Sequence, residues 1–256
     1  MSLESIFHTS CVIAACVCVL WLLSVRIRDA SIADIWWGPG FAVIAWVTVT
    51  DTDPHPLRYG LLSGVMTLWA LRLSIFMARR NLGHGEDRRY QAMRGGSPHF
   101  WWISLFKVFL LQGALQILVA LPIFAAAASP LPLNIVDMIG IAIALTGVVT
   151  EAVADHQLTQ FKSDPNNQGH VMDQGLWGYS RHPNYFGNAV LWVGVGIVGI
   201  ASGGPWWSFA GPAIMIFLLL KVSGVSMLES TITERRPAYK QYIQDVSAFV
   251  PWPNNR

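Results

Sequence analysis

The sequence predicts an all-α integral membrane protein, a seven-transmembrane-helix bundle with its N-terminus outside, its C-terminus cytoplasmic and its cytoplasmic loops capping a cavity. Three observations predict it. Of 256 residues, 53% are hydrophobic and 12% charged, against a charged share of roughly 25% in a water-soluble domain. The apolar residues fall into runs of about 18 or more, each able to cross about 30 Å of hydrocarbon. The lysines and arginines collect in alternate polar breaks, the asymmetry that orients a membrane protein.

Spans are expected near residues 4–25, 32–50, 57–78, 100–127, 133–152, 185–203 and 207–228. The linkers 26–31, 79–99 and 153–184 and the tail after 228 carry Arg26, Arg28, five arginines from Arg79 to Arg94, Lys162, Arg181, Arg235, Arg236, Lys240 and Arg256. The linkers 51–56, 128–132 and 204–206 carry none, and Arg58 alone sits near the outer side. Ser129-Pro130-Leu131-Pro132 and Ser202-Gly203-Gly204-Pro205 are turn sequences suited to tight outer connections. The inner linkers are long and polar, so function is expected at the cytoplasmic face. Neither a repeat nor a second domain is visible; residues 1–256 read as one membrane domain whose tail, 229–256, packs on the site.

Other classes are excluded. A net charge of +2 without basic, aromatic-interleaved patches speaks against nucleic acid. Cys11, Cys16 and Cys18 lie in the first apolar run, where neither a disulfide framework nor a metal site is expected. Ile13-Ala14-Ala15-Cys16 imitates a lipoprotein cleavage box, but Glu4 precedes it and no Lys or Arg does, so no signal peptide is expected. No obligate protein partner is evident.

Several ionisable groups lie within or at the ends of spans: Asp34 beside Trp36 and Trp37, Arg72 after Trp69, Lys107, Glu151, Asp155 and Lys221. The two lysines are expected to snorkel. Glu151 and Asp155, four residues apart, share a helix face. With Arg72 they form either a structural ion pair or a polar pocket open to the cytoplasm. The loop from Arg79 to Tyr90 mixes Gly83 and Gly85 with Arg80, Glu86, Asp87, Arg88 and Arg89, and its forked guanidiniums suit an anionic ligand. The second rich loop, Gly175 to Gly187, places Trp177, Tyr179, Arg181, His182, Asn184 and Tyr185 at the mouth of a span. Interfacial anchoring explains its aromatics; it does not require the Arg, His and Asn. Gly194-Val195-Gly196-Ile197-Val198-Gly199 matches a dinucleotide fingerprint in letters only, because it lies inside a span; close helix approach is the expected role.

Asp34-Ile35-Trp36-Trp37-Gly38, Arg72, Arg80-Asn81, Gly85 to Tyr90, Glu151, Asp155, Gln157, Gly175-Leu176-Trp177, Tyr179, Arg181 to Gly187 and the closing Leu228 to Trp252 stretch resemble bacterial membrane proteins grouped with steroid 5-alpha-reductases. The His-Pro-Asn-Tyr-Phe-Gly segment is also similar to the terminal region of membrane sterol reductases. The resemblance implies a bacterial inner-membrane, seven-helix protein that holds NADPH in a cytoplasm-facing cofactor cavity and delivers hydride to a lipid-like enone admitted from the bilayer. It marks Arg72, Asp155, Tyr179 and Asn184 as cofactor contacts. Charge and position add Arg88, Arg89, Arg181, His182, Tyr185, Arg235 and Tyr239. The Gln-Glu pair and Tyr that hold a steroid ketone in steroid reductases have no counterpart here; Trp69 stands at the Tyr position, and Asn188 where relatives carry an acid. Trp36, Trp37, Trp69 and Asn188 are therefore the expected substrate contacts, and Asp34 the expected proton donor. The alternative enzyme is an S-adenosylmethionine-dependent membrane methyltransferase similar to isoprenylcysteine carboxyl methyltransferases, which share an Arg-His-Pro-x-Tyr signature. A transporter or lipid-binding scaffold is the non-enzymatic reading.

Overall fold

A computed structural model describes residues 2–50, 56–222, 225, 229, 232 and 238–253, and every regular element among them is helical. The chain divides into two compact units, Met1–Asp137 with Val198–Gly211, and Met138–Ile197 with Pro212–Arg256.

The first unit opens with α1 (Leu3–Ile27), α2 (Ile32–Thr50) and α3 (Pro56–Asn81). Ser2 caps α1 through its hydroxyl, Glu4 and Arg26 complement its dipole, and Arg28 ends it in the left-handed conformation. The buried stripe of α1 is Ser5, Thr9, Ile13, Val17 and Ser24, while Leu3, Phe7, Val19, Leu22 and Leu23 are exposed. Three hydroxyls on the buried stripe with leucines outside depart from the pattern of a water-soluble helix; lipid is the solvent that makes the exposed leucines favourable. Against this stripe Gly113 packs on Ile13 and Val17, and Thr9 pairs with Thr48 at 3.5 Å. Gly38 lets α2 approach the backbone of Ala70 on α3, and Gly40 leaves room for the carboxamide of Gln116. That carboxamide donates to the Trp37 carbonyl at 2.9 Å, next to Pro39, which removes a donor from the helix ladder.

A short helix, α4 (Arg88–Gly95), precedes α5 (Phe100–Val119) and α6 (Leu121–Ala127). The run expected as one span over 100–127 is broken at Ala120, because Pro122 in the first turn of α6 cannot donate into the preceding turn. Arg58, expected near the outer side, is 1% exposed. It bridges both oxygens of Asp137 at 2.9 and 2.7 Å and donates to Ser129 Oγ and the carbonyls of Leu131 and Pro132.

In the second unit, α7 (Ile135–Ser163) and α8 (Pro183–Ala201) pack in close contact. A side chain at Gly147 would meet the backbone of Leu191 and Gly187, one at Gly187 the Glu151 amide nitrogen at 2.6 Å, and one at Gly194 the backbone of Ala144 and Gly140. Backbone therefore lies on backbone along three turns, which only small residues permit. Gly194 takes the packing role expected for the false fingerprint. The helix α7 runs past the expected end of its span near 152, since the polar residues that follow leave hydrocarbon without breaking the helix. Beyond α8 come α9 (Trp206–Val222) and α10 (Tyr239–Asp245).

Among the described residues six helices are long and apolar enough to cross a membrane: Leu3–Ile27, Ile32–Val49, Leu57–Asn81, Phe100–Val119, Ile135–Ser163 and Pro183–Ala201. The seventh expected run, 207–228, is helical over Trp206–Val222, shorter than the others; residues 223, 224 and 226–228 lie outside the described residues. The protein is an all-helical, multi-pass membrane protein. Lys107 and Lys221 are exposed, with their stems free to reach a polar interface.

Candidate functional site

In the first unit the predicted residues gather where α2 begins. Asp87 caps α4 by accepting from the Arg89 amide, while its own amide donates to Ser31 Oγ at 2.7 Å. Glu86 accepts from the Ala30 amide at 2.9 Å and from Arg94 at 2.9 and 2.8 Å. These contacts dock α4 across the start of α2 and bring Asp34 between Arg89 and Tyr90. Arg89 Nη2 donates to Asp34 Oδ2 at 2.6 Å, and Tyr90 Oη donates to Asp34 Oδ1 at 2.7 Å. One carboxyl oxygen of Asp34 thus meets a guanidinium and the other a phenol. Asp34, expected as the proton donor, is held between these two partners at the start of α2.

Electrostatics follow from those partners. Burial raises the Glu86 and Asp87 carboxyls, but hydrogen bonds and charge from Arg94 and Arg89 outweigh it and hold both below the usual range. Burial also opposes the Arg89 charge, and Asp87 and Asp34 overcome it, so the guanidinium is held more firmly protonated. Burial, then the Asp34 charge, pushes the Tyr90 phenol up.

Of the other predicted residues in this unit, Arg88 is exposed and Arg72 is half-buried with its guanidinium 5.7 Å from the Phe76 ring. Trp37, Phe41 and Trp69 form an aromatic cluster with centroids 5.3 and 5.8 Å apart. Trp69 is fully buried, and the buried Trp36 Nε1 has no hydrogen-bond partner among the described residues.

The second unit builds a different arrangement. The i to i+4 pair Glu151 and Asp155 on α7 faces a second such pair, Asn184 and Asn188, on α8. Asn184 Nδ2 donates to Asp155 Oδ1 at 3.0 Å, and Asn188 Nδ2 approaches Glu151 at 3.4 and 3.5 Å. Gly147 and Gly187 make this polar ladder possible by bringing the helices together. Glu151, Asp155 and Asn188 are buried, and Asn188 Oδ1 has no partner among the described residues.

Ahead of α8 the chain is clamped by the tail. Arg181 Nε and Nη2 take both oxygens of Glu229 at 2.7 and 3.1 Å, and its Nη1 donates to the carbonyls of Ile243 and Val246. His182 Nε2 lies 3.1 Å from Glu229 Oε1, and its ring stacks on Tyr185 with centroids 5.6 Å apart. The Arg181 amide bonds the Ser247 carbonyl, the Trp252 amide bonds the Tyr179 carbonyl, and Tyr242 Oη donates to the Trp177 carbonyl at 2.6 Å. The tail therefore packs on the Trp177–His182 segment. Burial raises the Glu229 carboxyl, but His182 and Arg181 prevail and hold it at about 2. Burial and then the Glu229 charge push the Tyr239 phenol up to about 12. Arg181, expected to reach a phosphate, spends its donors on protein acceptors and acts as a clamp. Tyr179 is 52% exposed, and Arg235 lies outside the described residues.

The sequence reading missed Glu229, Tyr90 and Asp137 as partners. Only Tyr90 had a local signal: Asp87 is a cap residue, and a helix starting at Arg88 places Arg89 and Tyr90 side by side in its first turn.

Residues 20–246 match the family model described as Protein of unknown function (DUF1295). The chain belongs to this family. An uncharacterised protein of the fission yeast Schizosaccharomyces pombe is 25% identical to it over 91% of this chain and 76% of the yeast protein. No solved structure matches the chain. The matched range of the DUF1295 model contains both clusters, from Asp34 through Glu229.

Proposed function

We propose that this DUF1295 protein is a membrane reductase of the steroid 5-alpha-reductase-like branch, using NADPH to reduce an activated C=C bond in a steroid-like or isoprenoid molecule drawn from the bilayer. In this reading α9 completes a seventh span and the arginine-rich linkers face the cytoplasm, as the charge asymmetry suggests. One observation carries it. Asp155 and Asn184, named as cofactor contacts by resemblance and 29 positions apart in sequence, hydrogen-bond at 3.0 Å on neighbouring helices.

The side chains of the ladder suit the uncharged parts of the coenzyme. Asp155, Glu151 and the unpartnered Asn188 Oδ1 are acceptors for ribose hydroxyls or a carboxamide N–H, and they would repel a phosphate. When bound, NADPH supplies the hydride. The protein's part is to hold the ring in register through Asn184 and Asp155 and to exclude water through the glycine-spaced helix contact. For phosphates, the resemblance offers Arg72, and exposure offers Arg88. Tyr90 is the hydrogen-bearing group of the first cluster, oriented by Asp34.

The methyltransferase reading draws support from the same ladder, since two buried carboxylates suit the sulfonium and amino group of S-adenosylmethionine. Titration of the detergent-purified protein with each cofactor, followed by fluorescence or calorimetry, separates the two. NADPH is expected to bind, and Asn184→Ala to weaken it about tenfold or more by removing a charge-assisted hydrogen bond. Binding of S-adenosylmethionine without NADPH overturns the reductase.

A further inference from the structure

The second unit contains an open cleft of about 340 Å³ that neither cluster uses, on the stretch of α7 beyond Asp155 and the loop that follows. Its walls are Gln157, Gln160, Phe161, Asp164, Asn167, Met172, Gln174 and Gly175. The chemistry is distinctive for a protein otherwise rich in arginine near its helix ends. The lining contains four carboxamides, an aromatic ring, a thioether and one carboxylate, and no cation. A phosphate is disfavoured there; a flat, neutral, hydrogen-bonding group is favoured.

We infer that this cleft receives the adenine base of a nucleotide cofactor, and the inference rests on the proposal above that the protein binds one. Three features point to a base. Phe161, only partly buried, and Met172, 9% exposed, both line the cleft and bring to it an aromatic ring and a polarizable thioether, the groups that stack on a base. Gln160 and Gln174 are exposed and make no side-chain hydrogen bond among the described residues. A carboxamide presents a donor and an acceptor side by side, matching the N6 amino group and N7 of adenine. The rear wall is fixed: Gln157 Oε1 accepts from the Leu176 amide at 3.0 Å, and its carboxamide fills the space a side chain at residue 175 would need. Gly175 also has φ +57°, in the left-handed region. The volume lies near the lower end of the roughly 300–1,000 Å³ of small-molecule sites, enough for a heterocycle and too little for a whole dinucleotide.

The test compares NADPH with reduced nicotinamide mononucleotide, which lacks the adenine half, on the full-length protein in detergent. Phe161→Ala and Gln160→Leu alter side chains at the cleft surface, and circular dichroism together with the melting temperature verifies that each variant is folded. Expected is an NADPH Kd raised about tenfold by Phe161→Ala, with the mononucleotide Kd unchanged. Adenosine should compete with NADPH on wild type and fail to do so on the variant. Equal weakening of both ligands, or no weakening of NADPH, overturns the adenine assignment while leaving the reductase reading intact. Wild type that binds S-adenosylmethionine alone, weakened by Phe161→Ala, overturns the reductase and supports the cleft. Wild type that binds neither cofactor nor adenosine overturns both.

Discussion

Two arginine–aspartate pairs in the first unit look alike in distance and differ in everything else. Arg58 meets Asp137 at 2.7 Å with side chains 1% and 0% exposed; Arg89 meets Asp34 at 2.6 Å with side chains 37% and 11% exposed. Arg58 spends all five guanidinium N–H groups on protein acceptors. Arg89 uses Nε and Nη2, and its Nη1 carries no hydrogen bond among the described residues. Saturation, more than proximity, separates a charge placed for folding from one with capacity left for a ligand. By that criterion Arg181 in the second unit, with four of its five N–H groups on protein acceptors, stands nearer Arg58, and the ladder of Glu151, Asp155, Asn184 and Asn188, with an acceptor to spare, belongs with Arg89.

The largest effect should come from Arg58→Met. It strands the Asp137 carboxylate where water does not reach, a loss of about 3–5 kcal/mol. Unfolding of the purified protein by heat or SDS should show it, and adding Asp137→Leu should recover most of it, because an apolar pair of similar volume replaces the ion pair at little cost. Wild-type stability in the single variant would remove saturation as a criterion.

Next comes Arg181→Ala, at about 2–3 kcal/mol, smaller because Glu229 keeps 19% of its side chain in solvent. Its signature is local: the tail should become cleavable at Lys240 by trypsin while the spans stay protected. An unchanged digestion pattern would show that the Tyr239, Tyr242 and Val246 packing and the backbone bonds to Tyr179 and Arg181 hold the tail without the guanidinium.

These contrasts mark where sequence is informative. The spans were legible because lipid selects apolar runs regardless of partners, and the Glu151–Asp155 face was legible because helical spacing is local. Resemblance named Asn184 and Asp155 separately as cofactor contacts, and their bond to each other had no signal in the sequence. Arg58 and Asp137, 79 positions apart, carry no local signature: a count of basic residues per linker treats a span-end arginine as a topological marker and ignores what it touches. The break at Ala120 was hidden for a similar reason, since hydropathy is continuous across it while Pro122 interrupts the hydrogen-bond ladder.

Third in size is the pH response of the Arg181 clamp. Glu229 has its carboxyl held at about 2, well below the usual 4.5 of a glutamate. A depressed carboxyl stabilises the fold fully above its unfolded value, and the contribution disappears as pH falls toward the folded one. Melting temperature should therefore carry a Glu229-dependent decline between about pH 4.5 and 2, absent in Glu229→Gln. That variant should also be less stable at neutral pH, because a neutral amide holds Arg181 less strongly. A parallel decline in both proteins would assign the acid limb to other carboxylates, such as Glu86 and Asp87, which are also held low.

The smallest effect is expected at the open pair. Asp34→Asn should change global stability by about 1 kcal/mol or less, since Arg89 is more than a third exposed and retains Asp87 as a partner. What should change is α4: hydrogen exchange over Arg88–Arg94 should rise, because Tyr90 and Arg89 lose the carboxylate that ties them to the start of α2. Tyr90→Phe keeps the buried ring and removes one hydrogen bond, so it should loosen α4 without freeing Arg89, separating the two contributions. If Asp34→Asn were instead as damaging as Arg58→Met, the two pairs would be the same kind of object, and partial exposure would say nothing about which arginines can turn toward a ligand.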